Sequence, residues 1–280
     1  MKLVTYRSGG RVSYGAVVDG GIVDLAKRLP QQSLKALLAA GAVAEAKRVV
    51  QGQAPDVKLA DIVYLPPVPD PDKIICIGLN YDDHRKETGR EKTSYPTLFT
   101  RFADTQVGHG QAMVKPKSSD KLDYEGELAV IIGKRGRHVP KERALDYVAG
   151  YSCYHDGSVR DWQFHTSQFV PGKNFPATGG FGPWMVTADE IPDPTKLTLV
   201  TRLNGQEVQR AGTDLMIFPI PELIAYITTF TELAPGDVIP TGTPAGVGSK
   251  RTPPLFMKPG DIAEVDISNV GVLKNAIIGE

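Results

Sequence analysis

The stretch LDYEGELAVIIG, residues 122–133, sets Asp123, Glu125 and Glu127 two apart, ahead of an apolar run. On a strand, residues i, i+2 and i+4 point to one side, so the three carboxylates are expected on a common face. Anions about 5–7 Å apart repel unless a proton or a cation lies between them. The spacing therefore predicts a hard metal ion, with the apolar half anchoring the strand in the core. Asp156 adds to this, because it ends a second apolar stretch, VAGYSCYHD, where sheets tend to build their sites. Glu125, Glu127 and Asp156 with water would form an oxygen-only shell, which suits Mg²⁺, Mn²⁺ or Ca²⁺ and disfavours Zn²⁺. The trio is expected to be exposed and to contribute little to packing. Taken singly, the acids also read as a solvated strand end, and Asp156 as a helix N-cap paired with Arg160.

Four further groups are candidates. Arg160 and Gln163 follow Asp156 at helical spacing and can share one face. His84 and Glu87 stand three apart in a polar segment predicted helical. A carboxylate beside an imidazole fixes its tautomer and strengthens it as a general base, although the same spacing suits a surface ion pair. Lys173, in PGKNFPATGG, can present its ammonium to an anionic substrate or can be a solvated loop lysine. In PTGTPAGVG, Thr241, Thr243 and the glycine backbone offer donors to a carboxylate. That segment lacks the lysine and spacing of a phosphate loop, and a tight turn between strands reads the same way. The other histidines follow no metal spacing, and His155 is read as structural.

The elements that must carry these residues are mostly strands. The chain has 280 residues with 29 glycines and 22 prolines, which favours short strands and tight turns over long helices. The fold class is expected to be α+β and predominantly β. The proline-dense LPPVPDPDK separates a small N-terminal α/β unit, residues 1–65, from a larger unit, residues 66–280. Within the first, SLKALLAAGAVAEAKRVV is expected as one helix capped by Ser33. Within the second, PKERALDYVAG is expected as a helix with Pro140 in its first turn and Gly150 as its stop. Residues 82–95 have few apolar anchors and are expected to form a lid. Thirty-two basic and 32 acidic residues balance, which argues against a nucleic-acid surface. No segment has the length of an apolar membrane span, and MKLVTYRSGG lacks a signal-peptide core. Cys76 and Cys153 sit in apolar surroundings and read as free thiols in a reducing cytoplasm.

In order along the chain, IGLNYDDH, DYEGELAVIIG, HDGSVRDWQ, GKNF, GPW, NGQEVQ and GDVIPTGTPAGVG resemble the fumarylacetoacetate hydrolase superfamily, from about Lys73 to the C-terminus. The resemblance implies a mixed β-roll or β-sandwich, usually a homodimer. It implies Mg²⁺ or Mn²⁺ held by Glu125, Glu127 and Asp156, and His84 and Glu87 as a dyad on a closing lid. Lys173 matches the family's site lysine, Arg160 and Gln163 its flanking polar pair, and Thr243 its carboxylate-binding threonine. Two departures stand out. HDGSVRD has His and Gly where the usual motif has Asn and an apolar residue. Arg101 stands where many members have Lys, and it is expected near the substrate. The implied reaction is hydrolysis of the C3–C4 bond of a 2,4-diketo acid, with water activated by His84, to give a pyruvate-type 2-oxo acid and a carboxylic acid. Decarboxylation of oxaloacetate-like acids, and isomerisation or hydration of 2-oxo-alkenoates, are the rival reactions. A metal- or sugar-acid-binding regulatory protein is the non-enzymatic rival, which would need neither the dyad nor Lys173.

Overall fold

The computed structural model describes residues 1–280. Its centre is the strand Gly126–Ile132, buried along its whole length. Successive side chains take opposite sides: Leu128, Val130 and Ile132 enter one core, Ala129 and Ile131 another. A strand covered on both faces needs apolar residues at every position, which is why LAVII does not alternate with polar residues. Burial of Leu128, Val130, Ile131 and Ile132 contributes about 1.5–3 kcal/mol each.

This strand belongs to a twelve-stranded mixed sheet. Val148–His155 and Val238–Pro240 flank it antiparallel, and Ile74–Gly78 joins Val238–Pro240 in parallel. On the other side Gly179–Thr187 pairs with Val148–His155, and Lys2–Ser8 pairs with Gly179–Thr187. Residues before the proline-dense segment thus extend the same sheet, and Leu34, Leu37 and Leu38 share a core with Ala129 and Ile131. A five-stranded sheet runs Gln206–Gly212, Thr198–Leu203, Ile262–Ile267, Gly271–Gly279 and Met113–Lys115. With the helix Ile220–Phe230, it packs Leu199, Val265, Leu273 and Leu223 against Leu128 and Val130. The chain is α+β and predominantly β, as the sequence implies.

Two helices differ from expectation. The segment after Ser33 forms two, Leu34–Ala39 and Val43–Val50. Ser33 does cap the first, its hydroxyl accepting from Ala36 N–H at 3.1 Å. Gly41 then takes φ 63°, and the Gly41 and Ala42 N–H groups bond back to Leu38 and Leu37. Those two bonds close a Schellman stop inside what reads as continuous helical periodicity. The segment after Pro140 is a 3₁₀ run, Lys141–Tyr147, and the next strand begins at Val148. Gly150 is inside that strand, opposite Ile131 and Thr187, so it does not stop a helix.

Candidate active site

Asp123, Glu125 and Glu127 do not share one continuous strand. Leu122–Asp123 is a short strand paired with Ser158–Val159, and Gly126 starts the central one. The turn between them lets the three carboxylates diverge. Asp123 accepts from the N–H groups of Tyr124, Gly248 and Ser249 and from Arg160 Nε, at 2.7–2.9 Å. It therefore anchors the loop after Thr243 and orients Arg160, and it stays out of the metal-type cluster. Glu125 C=O accepts from Asp156 N–H at 2.8 Å, which brings Asp156 beside the glutamates. One carboxylate oxygen each from Glu125, Glu127 and Asp156 lie within 4.8 Å of one another. Gly126 between them has no alternative, because a Cβ there would meet Thr201 Oγ1 at 2.1 Å.

All three are buried, contrary to the exposed trio expected. Buried charges need partners, and the chain supplies them. Lys173 Nζ lies 2.7 Å from Glu125 Oε2 and 2.6 Å from Asp156 Oδ2, with the Phe99 ring 4.9 Å away. The lysine ends a one-turn helix, Val170–Lys173, and is buried, where the sequence left a solvated loop open. Arg160 Nη2 approaches Glu125 Oε1 at 2.7 Å, and Arg160 Nη1 donates to Gln163 Oε1 at 2.9 Å. Arg101 corrects an expectation. It does not line the cavity; its Nη1 donates to Asp156 Oδ1 at 2.6 Å and to Gly157 C=O, and its Nη2 to Thr178. Arg101 ends the strand Thr97–Arg101 and is wholly buried, and with its guanidinium committed to these partners it positions Asp156.

The electrostatics fit a hard cation. Four buried carboxylates, with Asp123 counted, face three cations, Arg101, Arg160 and Lys173. Glu127 is the odd one: its carboxylate accepts only from Gly242 N–H, at 2.9 Å. Burial, then the charges of Asp156 and Glu125, push its carboxyl well above the usual range. Burial acts the same way on Glu125, but Arg160 and Lys173 outweigh it and hold that carboxyl low. Burial would discharge Lys173, yet Asp156 and Glu125 keep its ammonium above its ordinary value. A divalent ion and one ligand carboxylate would bring the whole set to neutrality. Oxygen-only donors of this kind suit Mg²⁺ or Mn²⁺.

The dyad lies on the helix Asp82–Thr88. His84 Nδ1 is 2.7 Å from Glu87 Oε1, and Glu87 Oε2 accepts from Gly246 N–H at 3.0 Å. Glu87 thus ties the helix to the loop after Thr243, and His84 is only 5% exposed, which sets aside the surface-pair reading. With Nδ1 bonded to the carboxylate, Nε2 is the ring atom left for chemistry. Thr243 lines the cavity too, but its hydroxyl donates to Gly126 C=O and accepts from Gln209 Nε2. His155, fully buried, is pushed down to about 4 chiefly by burial and is a neutral structural imidazole.

Sequence reasoning missed two organisers. Gln209 bridges Gly126 N–H and the Thr243 hydroxyl. Asn80 pins the Phe218 backbone and Thr241 C=O, holding the ends of two site loops together. Both lie in segments that carry the family resemblance, Asn80 in IGLNYDDH and Gln209 at the end of NGQEVQ, and that was the signal that could have flagged them. His84, Glu125, Glu127, Arg160, Gln163, Lys173 and Thr243 converge on one cavity of about 250 Å³. That volume suits a small acid.

Comparison with known proteins agrees with this geometry. Residues 73–278 match the family described as fumarylacetoacetate hydrolase, C-terminal. The mitochondrial oxaloacetate tautomerase of Rattus norvegicus is 39% identical over 93% of this chain and 85% of its own length. The human protein of the same name (FAHD2A) is 38% identical over 99% and 92%. Among solved structures, a fumarylacetoacetate hydrolase from Exiguobacterium antarcticum superposes with TM-score 0.86 at 33% identity, covering both chains completely. A maleylpyruvate hydrolase from Sphingobium sp. SYK-6, in complex with manganese(II) and pyruvate, gives 0.83 at 28%, covering 100% of this chain and 99% of that one. The chain belongs to the fumarylacetoacetate hydrolase family.

Proposed function

We propose that this chain is a Mg²⁺- or Mn²⁺-dependent enzyme that interconverts the keto and enol forms of a small 2-oxo acid of the oxaloacetate type. The observation that carries the reading is one cavity lined by His84, Glu125, Glu127 and Lys173. Glu125, Glu127 and Asp156 would hold the cation, which would supply positive charge against the oxyanion developing at the 2-oxo oxygen. His84 Nε2 takes the proton from C3, and the C–H electrons move toward the 2-oxo oxygen. Glu87 holds the imidazole in the tautomer that can do this and stabilises the imidazolium formed. The same Nε2–H then returns its proton to oxygen, giving the enol, or to C3, giving back the keto form. Lys173 and Arg160 keep Glu125 ionised and oriented throughout. The oxaloacetate tautomerases at 38–39% identity support this substrate class.

Hydrolysis of a 2,4-diketo acid is a second reading, favoured by the His84–Glu87 pair and the maleylpyruvate hydrolase fold. There His84 takes a proton from water, hydroxide adds to C4, and the C3–C4 bond breaks. Its electrons stay on C3, which is then protonated, leaving a 2-oxo acid and a carboxylic acid. Cys76 and Cys153 are both free and buried, consistent with a reducing compartment such as the cytoplasm, and no helix is long and apolar enough to cross a membrane. A homodimer is proposed on the family's pattern.

Proton exchange separates the two reactions. In D₂O with Mg²⁺, the protein should speed deuterium entry at C3 of pyruvate and keto–enol equilibration of oxaloacetate. His84→Ala should slow both by roughly 10²–10⁴-fold. Unaccelerated exchange, together with ¹⁸O incorporation from water into products of an acylpyruvate, would replace tautomerisation by hydrolysis.

A further inference from the structure

The cavity is charged differently at its two ends. At the inner end Lys173 and Arg160 are buried and committed to carboxylates. At the outer end Arg90 and Lys250 line the same cavity, are exposed, and form no ion pair. They come from different elements: Arg90 follows the dyad helix, and Lys250 ends the short turn Gly248–Lys250. That turn is fixed by Asp123, which accepts from Gly248 and Ser249 N–H. Arg90 lies 5.9 Å from the ring centres of both Phe164 and Phe169, so its guanidinium stands near two aromatic rings while its N–H donors stay unspent. Arg90 and Lys250 line one cavity without an anionic partner, so an anion that enters it meets two free positive charges.

We propose that Arg90 and Lys250 form a subsite for a second carboxylate, so that the enzyme selects dianionic 2-oxo acids over those with a neutral tail. This rests on the proposed 2-oxo-acid reading of the inner end and adds how the far end of the substrate is read. The inner end takes the 2-oxo carboxylate head, and the chain between the two anions runs past His84. Arg90 and Lys250 are solvent-facing, so their contribution is modest and sensitive to salt.

The test uses the full-length Mg²⁺-loaded protein and two unreactive probes sharing one head. Oxamate carries the oxalyl head alone, and N-oxalylglycine adds a distal carboxylate. Titration calorimetry should show N-oxalylglycine binding about tenfold tighter than oxamate at low salt, with the preference shrinking as NaCl rises. Arg90→Gln and Lys250→Gln should each reduce that preference roughly three- to fivefold and together abolish it, while oxamate affinity holds. Equal affinity for the two probes in the wild type, or an unchanged ratio in the double variant, would overturn the subsite and leave the head site standing. Failure of oxamate itself to bind would overturn the 2-oxo-acid reading, and the subsite with it.

Discussion

Asp56 and Asp156 are each held by one arginine and one lysine, and they differ in little but burial. Near the N-terminus Asp56 pairs with Arg28 at 2.5 Å and Lys27 at 3.5 Å, in side chains that water reaches. At the centre Asp156 pairs with Arg101 and Lys173, both at 2.6 Å, in side chains no more than 2% exposed. The first arrangement exchanges hydration for contacts of similar strength and contributes little. The second gives up hydration of three charges, and well-packed apolar residues would stabilise the fold as well or better. Its persistence in the core is explained by what it holds in place: a carboxylate within 4.8 Å of those of Glu125 and Glu127.

Removing each aspartate sharpens that contrast. Asp156→Ala should lose divalent-cation binding and about 3–5 kcal/mol of stability in urea unfolding, since Arg101 and Lys173 are left buried without it. If Asp156→Ala unfolds like the wild type, Asp156 is not what compensates the buried charges of Arg101 and Lys173. Arg101→Lys should be milder, about 1–3 kcal/mol, because an ammonium cannot reach Asp156, Gly157 and Thr178 from one plane. It should weaken Mn²⁺ binding without abolishing it, and an unchanged Mn²⁺ affinity would deny Arg101 its positioning role.

Asp56→Ala should cost under about 1 kcal/mol and leave cation binding untouched. A loss as large as that of Asp156→Ala would erase the difference between the two sites. The smallest effect is in acid. Burial works to raise the Asp56 carboxyl, but Arg28, the Asp24 N–H and Lys27 outweigh it and hold it below the ordinary value. Its pairing therefore stabilises the fold above the unfolded carboxylate range and is lost as pH falls through the lowered folded value. Asp56→Asn should flatten the acid limb of the stability–pH curve slightly, and an unaltered limb would show that this pair is not felt.

The site was legible where chemistry and local period coincide. Spacing put Asp123 beside Glu125 and Glu127, and the break before Gly126 takes Asp123 out of the cluster, while Asp156 was flagged by its place at a strand end. Burial was not legible, because it depends on partners distant in sequence. Lys173 reads as a loop residue among glycines and prolines, yet its partners lie 17 and 48 positions away. Arg101 reads as a substrate contact, but Asp156 lies 55 residues on and turns it inward. In the fold, the apolar periodicity found the central strands, while the break at Gly41 depends on a left-handed residue that periodicity overlooks.

The most direct test of the central claim is an EPR titration of Mn²⁺ against the wild type, Glu127→Gln and His84→Ala. Glu127→Gln removes a charge from the carboxylate with the fewest partners and leaves the Lys173 and Arg101 network whole. The account predicts one tightly bound Mn²⁺ per chain in the wild type and His84→Ala, and binding weakened at least about tenfold in Glu127→Gln. Equal Mn²⁺ affinity in the wild type and Glu127→Gln would contradict it.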